Sequence, residues 1–232
     1  MRTNRPKKGI GIKKVVLLLT TAAAVACYPL LLNFAKNALA AYLIVNKPVS
    51  DARVLIVEGW IFGNLIPDVK FEFLKGRYDY LLVAWQPKTA ESNDLLKPDG
   101  EGERVDTREK LIAAGLDSSK IRVVSLPQIA VHNTLAMALT VGKWLRANDP
   151  AATRVNVCTA NVHGRKTWVA YKRALGGSGS VGIISFTRRN IPVLKWWKKS
   201  PGGGMRFLLR RWAGVIDAAW CPISWVDSES RP

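Results

Sequence analysis

Five short runs, at residues 53–58, 80–85, 121–126, 155–159 and 181–186, are apolar almost throughout and are separated by segments long enough for helices. A strand exposed on one face alternates apolar and polar residues; these runs do not alternate, so they predict strands buried on both faces. Between them, apolar residues recur at spacings of three and four over 68–76, 104–115, 134–148 and 164–175, with glycine after several of the segments, as expected for helices that lay one face on a sheet. Strands alternating with helices give an α/β fold of three layers, with a mostly parallel five-stranded sheet in the middle. Residues 87–103 are polar and contain Pro and Gly, which marks a surface loop.

A different pattern precedes this one. Residues 2–14 hold Arg2, Arg5, Lys7, Lys8, Lys13 and Lys14 with no acid, and Val15 to Leu32 then runs without a charge. At 1.5 Å per residue this run reaches roughly 27 Å, enough to cross the hydrocarbon core. Positive charge on its amino side predicts that this end stays cytoplasmic. The expected product is a single-pass signal anchor in the inner membrane, with the main domain periplasmic. The expected division is a basic terminus at 1–14, an anchor at 15–35, a linker at 36–51, the α/β domain at 52–186 and a C-terminal extension at 187–232. Ala38-Leu39-Ala40 has the small-x-small form of a cleavage site, but the apolar run is longer than the 7–15 residues usual in a removable signal. Polar residues do not follow Cys27, as they would after a lipidated start, and six flanking cations conflict with a buried core helix.

Composition narrows the function classes. With 48% hydrophobic residues among 232, the chain is too apolar for intrinsic disorder, and one long apolar segment excludes a polytopic membrane protein. Cys27, Cys158 and Cys221 form no disulfide framework and no metal-ligand spacing. His132 and His163 are the two histidines, which argues against a zinc site. Signatures of dinucleotide, P-loop, serine-hydrolase and zinc-protease chemistry are lacking, so no cofactor is expected.

In an open parallel sheet, ligands sit beyond the carboxyl ends of the strands. There the chain places Glu58-Gly59-Trp60, Trp85-Gln86, His132-Asn133-Thr134 and the stretch Thr159 to Lys166. Asn161, His163, Arg165 and Lys166 open a helix, where cations oppose the macrodipole by about 0.3–1 kcal/mol each and free N–H groups favour an anion. Arg165 and Lys166 are therefore candidate anion-binding residues, with Gly59, Asn133, Thr134 and Asn161 as further contacts. Glu58 and His163 are the candidate proton carriers. Each has a plainer reading. Arg165 and Lys166 can point into water, His163 can cap or pack, Asn133 and Thr134 can cap the helix that follows, and Glu58 can be an internal partner for Arg165.

These residues resemble a known pattern. Val57-Glu58-Gly59-Trp60, Thr134 and Ala138 with Trp144-Leu145 further along that helix, and Thr159-Ala160-Asn161-Val162-His163-Gly164-Arg165-Lys166-Thr167 together look like the ElyC/SanA/YdcF family of bacterial envelope proteins, in particular its membrane-anchored branch. The resemblance covers about 52–186. It implies a Rossmann-like fold with a cavity at the strand ends. It also implies work on peptidoglycan, a lipid carrier or surface polysaccharide; one soluble branch is associated with S-adenosylmethionine. No settled reaction comes with it, so whether the protein is an enzyme stays open. The chain departs from the pattern at Ala84-Trp85-Gln86, where glycines are common, and at Asn133, where many members carry a charge. Trp85 is expected to crowd a ligand, which leaves a binding-only member open.

From residue 187 onward, nine Lys/Arg face three acids, and Trp196, Trp197, Trp212, Trp220 and Trp225 gather. Met205, Leu208, Leu209, Trp212, Val215, Ile216 and Ala219 predict the apolar face of a helix, with Arg206, Arg210 and Arg211 towards its polar side. Such a helix either packs on the sheet or contacts anionic phospholipid. The expected partners are an anionic phospholipid membrane, a phosphorylated lipid-linked or glycan intermediate, and cell-wall or polysaccharide machinery. A domain outside the cytoplasm, carrying no recognised nucleic-acid module, argues against nucleic acid despite a charge of +18. The alternatives are a non-enzymatic scaffold and a binder of a nucleotide-derived cofactor such as S-adenosylmethionine.

Overall fold

The computed structural model describes residues 11–61, 63–85, 107–126, 133–176, 180–186 and 201–224. The 87–103 loop, Gln86, His132, the first basic residues and the tail tryptophans Trp196, Trp197 and Trp225 lie outside them. The chain divides into two compact units, Met1–Leu39 and Ala40–Pro232.

Helix α1, Ile12–Leu43, is long and apolar enough to cross a membrane, with a mean hydropathy of 2.3 over its most apolar window and none of that window buried. It extends past the expected end of the anchor at residue 35. Its two threonines are satisfied within the helix: the Thr20 hydroxyl donates to the Val16 carbonyl at 3.0 Å and that of Thr21 to Leu17 at 2.8 Å. Such back-bonding is how a hydroxyl avoids standing unpaired in an apolar medium.

The second unit is α/β. Its strands are β1 (Val54–Glu58), β2 (Tyr80–Trp85), β3 (Ile121–Ser125), β4 (Arg154–Ala160) and β5 (Ser180–Phe186), and its helices are α2 (Ile66–Lys75), α3 (Thr107–Ala113), α4 (Asn133–Asn148), α5 (Gly164–Leu175) and α6 (Pro201–Trp220). The sheet runs in the order β3-β2-β1-β4-β5, and every pairing is parallel. Val54 and Ile56 pack with Leu135, Ala170, Tyr171 and Ala218, from α4, α5 and α6. Leu55 and Val57 pack with Ile66, Val69, Phe73 and Leu111, from α2 and α3. Successive residues of one strand thus feed two cores, as the period of a strand requires, and the non-alternating runs follow from burial on both sides. Edge strand β3 departs: Arg122, Val123 and Ser125 are exposed, and Arg122 lies 3.8 Å over the Tyr80 ring.

Residues 45–49, which the sequence marks only as linker, build onto the sheet. Lys47 pairs antiparallel with Ile183 at the outer edge of β5. The buried Asn156 side chain accepts from Val49 N at 2.8 Å and donates to its carbonyl at 3.1 Å. This cover reduces the run of unpaired backbone groups that an edge strand otherwise presents.

Candidate functional site

The strand order reverses between β1 and β4. From β1 the chain winds outward through β2 and β3, then returns to place β4 on the other side; in open α/β sheets ligands bind at the carboxyl ends of the strands at such a switch point. Glu58 ends β1. Val57 pairs with Cys158, so Glu58 meets Thr159. Glu58 also shares the parity of Val54 and Ile56, which turns it towards α5.

The Glu58 side chain is 0% exposed. The Thr159 hydroxyl donates to its Oε2 at 2.5 Å, and the Thr167 hydroxyl of α5 donates to its Oε1 at 3.1 Å. Burial pushes the carboxyl up to about 7; the two hydroxyls, the Lys166 charge and a hydrogen bond from Trp60 pull in the other direction without reversing it. A carboxyl in this environment gains and loses a proton near neutrality. Both oxygens, however, are already engaged by protein hydroxyls.

Of the three buried polar side-chain atoms without a partner among the described residues, two lie on the turn from β4 into α5 and the third is the Tyr171 hydroxyl within α5. Asn161 has φ of +49°, the left-handed region that a non-glycine residue occupies at a cost. Asn161–His163 forms one 3₁₀ turn. Among the described residues, Asn161 Oδ1 and His163 Nδ1 are sealed from solvent and have no hydrogen-bond partner, although both residues are half-buried as a whole. The His163 ring packs 4.6 Å from that of Trp60. Burial holds its pKa well below the usual imidazole value, with the charges of Arg211 and Lys166 adding to the effect, so the environment favours the neutral ring.

Arg165 and Lys166 part company. Arg165 Nε donates to the Tyr42 carbonyl at 2.5 Å, and its guanidinium lies 4.0 Å over the Tyr42 ring. It fastens the last turn of α1 rather than joining Lys166. Lys166 turns to α6, where a Cβ built on Gly214 would stand 3.1 Å from its Cδ. Burial lowers the Lys166 pKa; Asp217 and Glu58 oppose this and Arg211 reinforces it. Arg211, stacked 4.6 Å over Phe207, is desolvated. The cation pair is therefore Lys166 with Arg211, drawn from two helices.

The remaining expected site residues fall at the margin. Gly59 is a packing glycine: its N–H donates to the Ala84 carbonyl at 2.8 Å, its carbonyl accepts from Thr107 at 2.8 Å, and an added Cβ would lie 2.6 Å from Ala84 O. Asn133 is exposed at the start of α4, and Thr134 is buried beside it. Trp85 packs on the α2–α3 core, the face opposite the Glu58 side chain. A shallow cleft lined by Leu145, Arg146, Asp149 and Leu175 lies at the amino end of β4, away from this cluster. Among the described residues, no three His, Cys, Asp or Glu side chains group to hold a metal.

Sequence reasoning missed Thr159 and Thr167 as the hydroxyls on Glu58, and it missed Arg211. Two signals were available. Adjacent helical residues point about 100° apart, so Arg165 and Lys166 do not share a direction. Arg211 stands three residues after Leu208 and four before Val215, in register with the buried side of α6.

Together these features define an α/β protein with a polar, partly desolvated cluster at the topological switch of its sheet, preceded by a helix able to span a membrane. No family model matches the chain, and no curated protein or solved structure matches it.

Proposed function

We propose that the protein is a single-pass envelope protein of the ElyC/SanA/YdcF type, set in the inner membrane with its α/β domain on the periplasmic side. In this reading it binds a phosphorylated, hydroxyl-bearing intermediate, such as a lipid-linked glycan phosphate, where β1 and β4 end. One observation carries the reading: Asn161 Oδ1 and His163 Nδ1 are buried without partners on a turn next to the desolvated cations Lys166 and Arg211. A buried polar atom left unpaired costs about 1–3 kcal/mol, and a guest that offers hydroxyl groups removes that cost. A phosphate on the same guest gives Lys166 and Arg211 a charge-assisted partner. Glu58 tunes this balance, because a protonated carboxyl leaves the cations less compensated. The cation-rich N-terminus supports the orientation, and the order of motifs from Glu58 to Thr167 supports the family.

The test is isothermal titration of the full chain in detergent with hexose 1-phosphate and dodecyl phosphate, against free hexose and dodecanol. The phosphorylated probes bind, and Lys166→Met and Arg211→Met each weaken them tenfold or more, while Arg165→Met leaves affinity unchanged. Equal affinity in wild type and both variants, or no binding by either phosphate, overturns the reading.

A further inference from the structure

Helix α6 carries two apolar stripes. Leu208, Val215 and Ala218 are buried and face α5. The helix is fixed in that rotation, because Arg173 of α5 donates to the carbonyls of Ala218 at 2.8 Å and Cys221 at 2.9 Å, satisfying acceptors that a helix end leaves free. Leu209, Trp212, Ile216 and Trp220 recur at spacings of three and four and form a second stripe, with 49%, 43%, 43% and 80% of their surfaces exposed. Ile223, just beyond the helix, is exposed as well. Contiguous apolar surface turned to solvent marks an interaction site. Exposed Arg206 and Arg210 lie along its outer edge, whereas Asp217, the one acid of α6, interacts with Lys166.

We propose that this stripe lies in the interface of an anionic bilayer, with Leu209, Trp212, Ile216 and Trp220 entering the boundary between headgroups and acyl chains, and Arg206 and Arg210 meeting lipid phosphates. Three observations select a lipid surface over a protein partner. Tryptophan and arginine are the side chains that suit this interface. Two exposed cations, Arg206 and Arg210, border the stripe, which matches a negative plane, and the acid set between them, Asp217, is only partly exposed and interacts with Lys166. The same polypeptide carries α1, long and apolar enough to be inserted in such a bilayer, so the second contact forms at high effective concentration. This surface is separate from the β4 turn and does not depend on what binds there.

The full chain, reconstituted in vesicles, tests the proposal through a nitroxide at Ile216→Cys, with Ser119→Cys as an exposed reference. Both are made in a Cys27→Ala background, since Cys158 and Cys221 are buried. In phosphatidylglycerol-containing vesicles, accessibility to oxygen relative to a polar nickel chelate rises severalfold at Ile216 over its value in pure phosphatidylcholine, and Ser119 does not change. Arg206→Gln with Arg210→Gln abolishes the rise. An Ile216 label as open to the nickel chelate as that at Ser119 overturns the proposal. So does a label shielded from both reagents, which places a second copy or another protein on the stripe.

Discussion

Thr159 and Glu58 stand side by side on neighbouring parallel strands, and the threonine hydroxyl donates to a carboxyl that is closed off from solvent. With Thr167 on the other oxygen, this pairing ties β1, β4 and α5 together at the point where the sheet reverses its winding.

Thr159→Val removes the donor while keeping the shape. A hydrogen bond to a charged group contributes about 1.5–3 kcal/mol, so urea unfolding at pH 8, where Glu58 is largely ionised, shows a loss of that order. At pH 5, where the carboxyl is protonated, the loss is smaller. Equal losses at the two pH values contradict the assignment of the ionised state.

Glu58 and His163 tilt the pH dependence of stability in opposite directions. The Glu58 pKa is raised from 4.5 to about 7 on folding. Its contribution is therefore fully present below pH 4.5 and is lost as pH rises through 7, with a slope of about 1.4 kcal/mol per pH unit between those two values. His163 is depressed from 6.5, so its contribution is present above pH 6.5 and is lost as pH falls towards its folded value. Relative to the wild type, Glu58→Gln gains stability between pH 5 and pH 8, and His163→Phe loses its sensitivity below pH 6.5. Chemical denaturation across that range measures both slopes, and parallel curves for wild type and Glu58→Gln refute the first.

Arg165 acts on Tyr42. Arg165→Met and Tyr42→Ala each destabilise, and a double-mutant cycle between them gives a coupling of about 0.5–1 kcal/mol, the value of an exposed cation–π contact. Additive losses refute the contact.

Gly59→Ala forces a Cβ to 2.6 Å from the Ala84 carbonyl oxygen, a backbone atom that cannot rotate away. Overpacking of this kind costs about 1–3 kcal/mol. A thermal midpoint unchanged from the wild type contradicts that geometry.

Much of the fold was legible because burial on two faces leaves its mark on composition. Tyr80–Trp85 and Gly164–Leu175 begin and end where the apolar run and the glycine punctuation place them, and the remaining described elements differ by a few residues at their ends. The strand order was not legible, since the same runs suit several windings. Glu58 and the β4 turn stand out as candidates in the sequence because ligands of open parallel sheets sit at the carboxyl ends of the strands. Charge alone places Arg211 on the polar side of α6, whereas its spacing places it with Leu208 and Val215. The two stripes of that helix merged into one face in the sequence, since residues such as Leu208 and Leu209 differ in direction by only about 100°.

The central claim is that the β4 turn, with Lys166 and Arg211, receives a phosphorylated guest. The chain has two histidines, so ¹⁵N-histidine labelling of the full chain, with His132→Gln for assignment, reports Nδ1 of His163 directly. Titration with hexose 1-phosphate moves that resonance saturably, and Lys166→Met abolishes the movement. A His163 resonance that stays fixed at saturating hexose 1-phosphate contradicts the account.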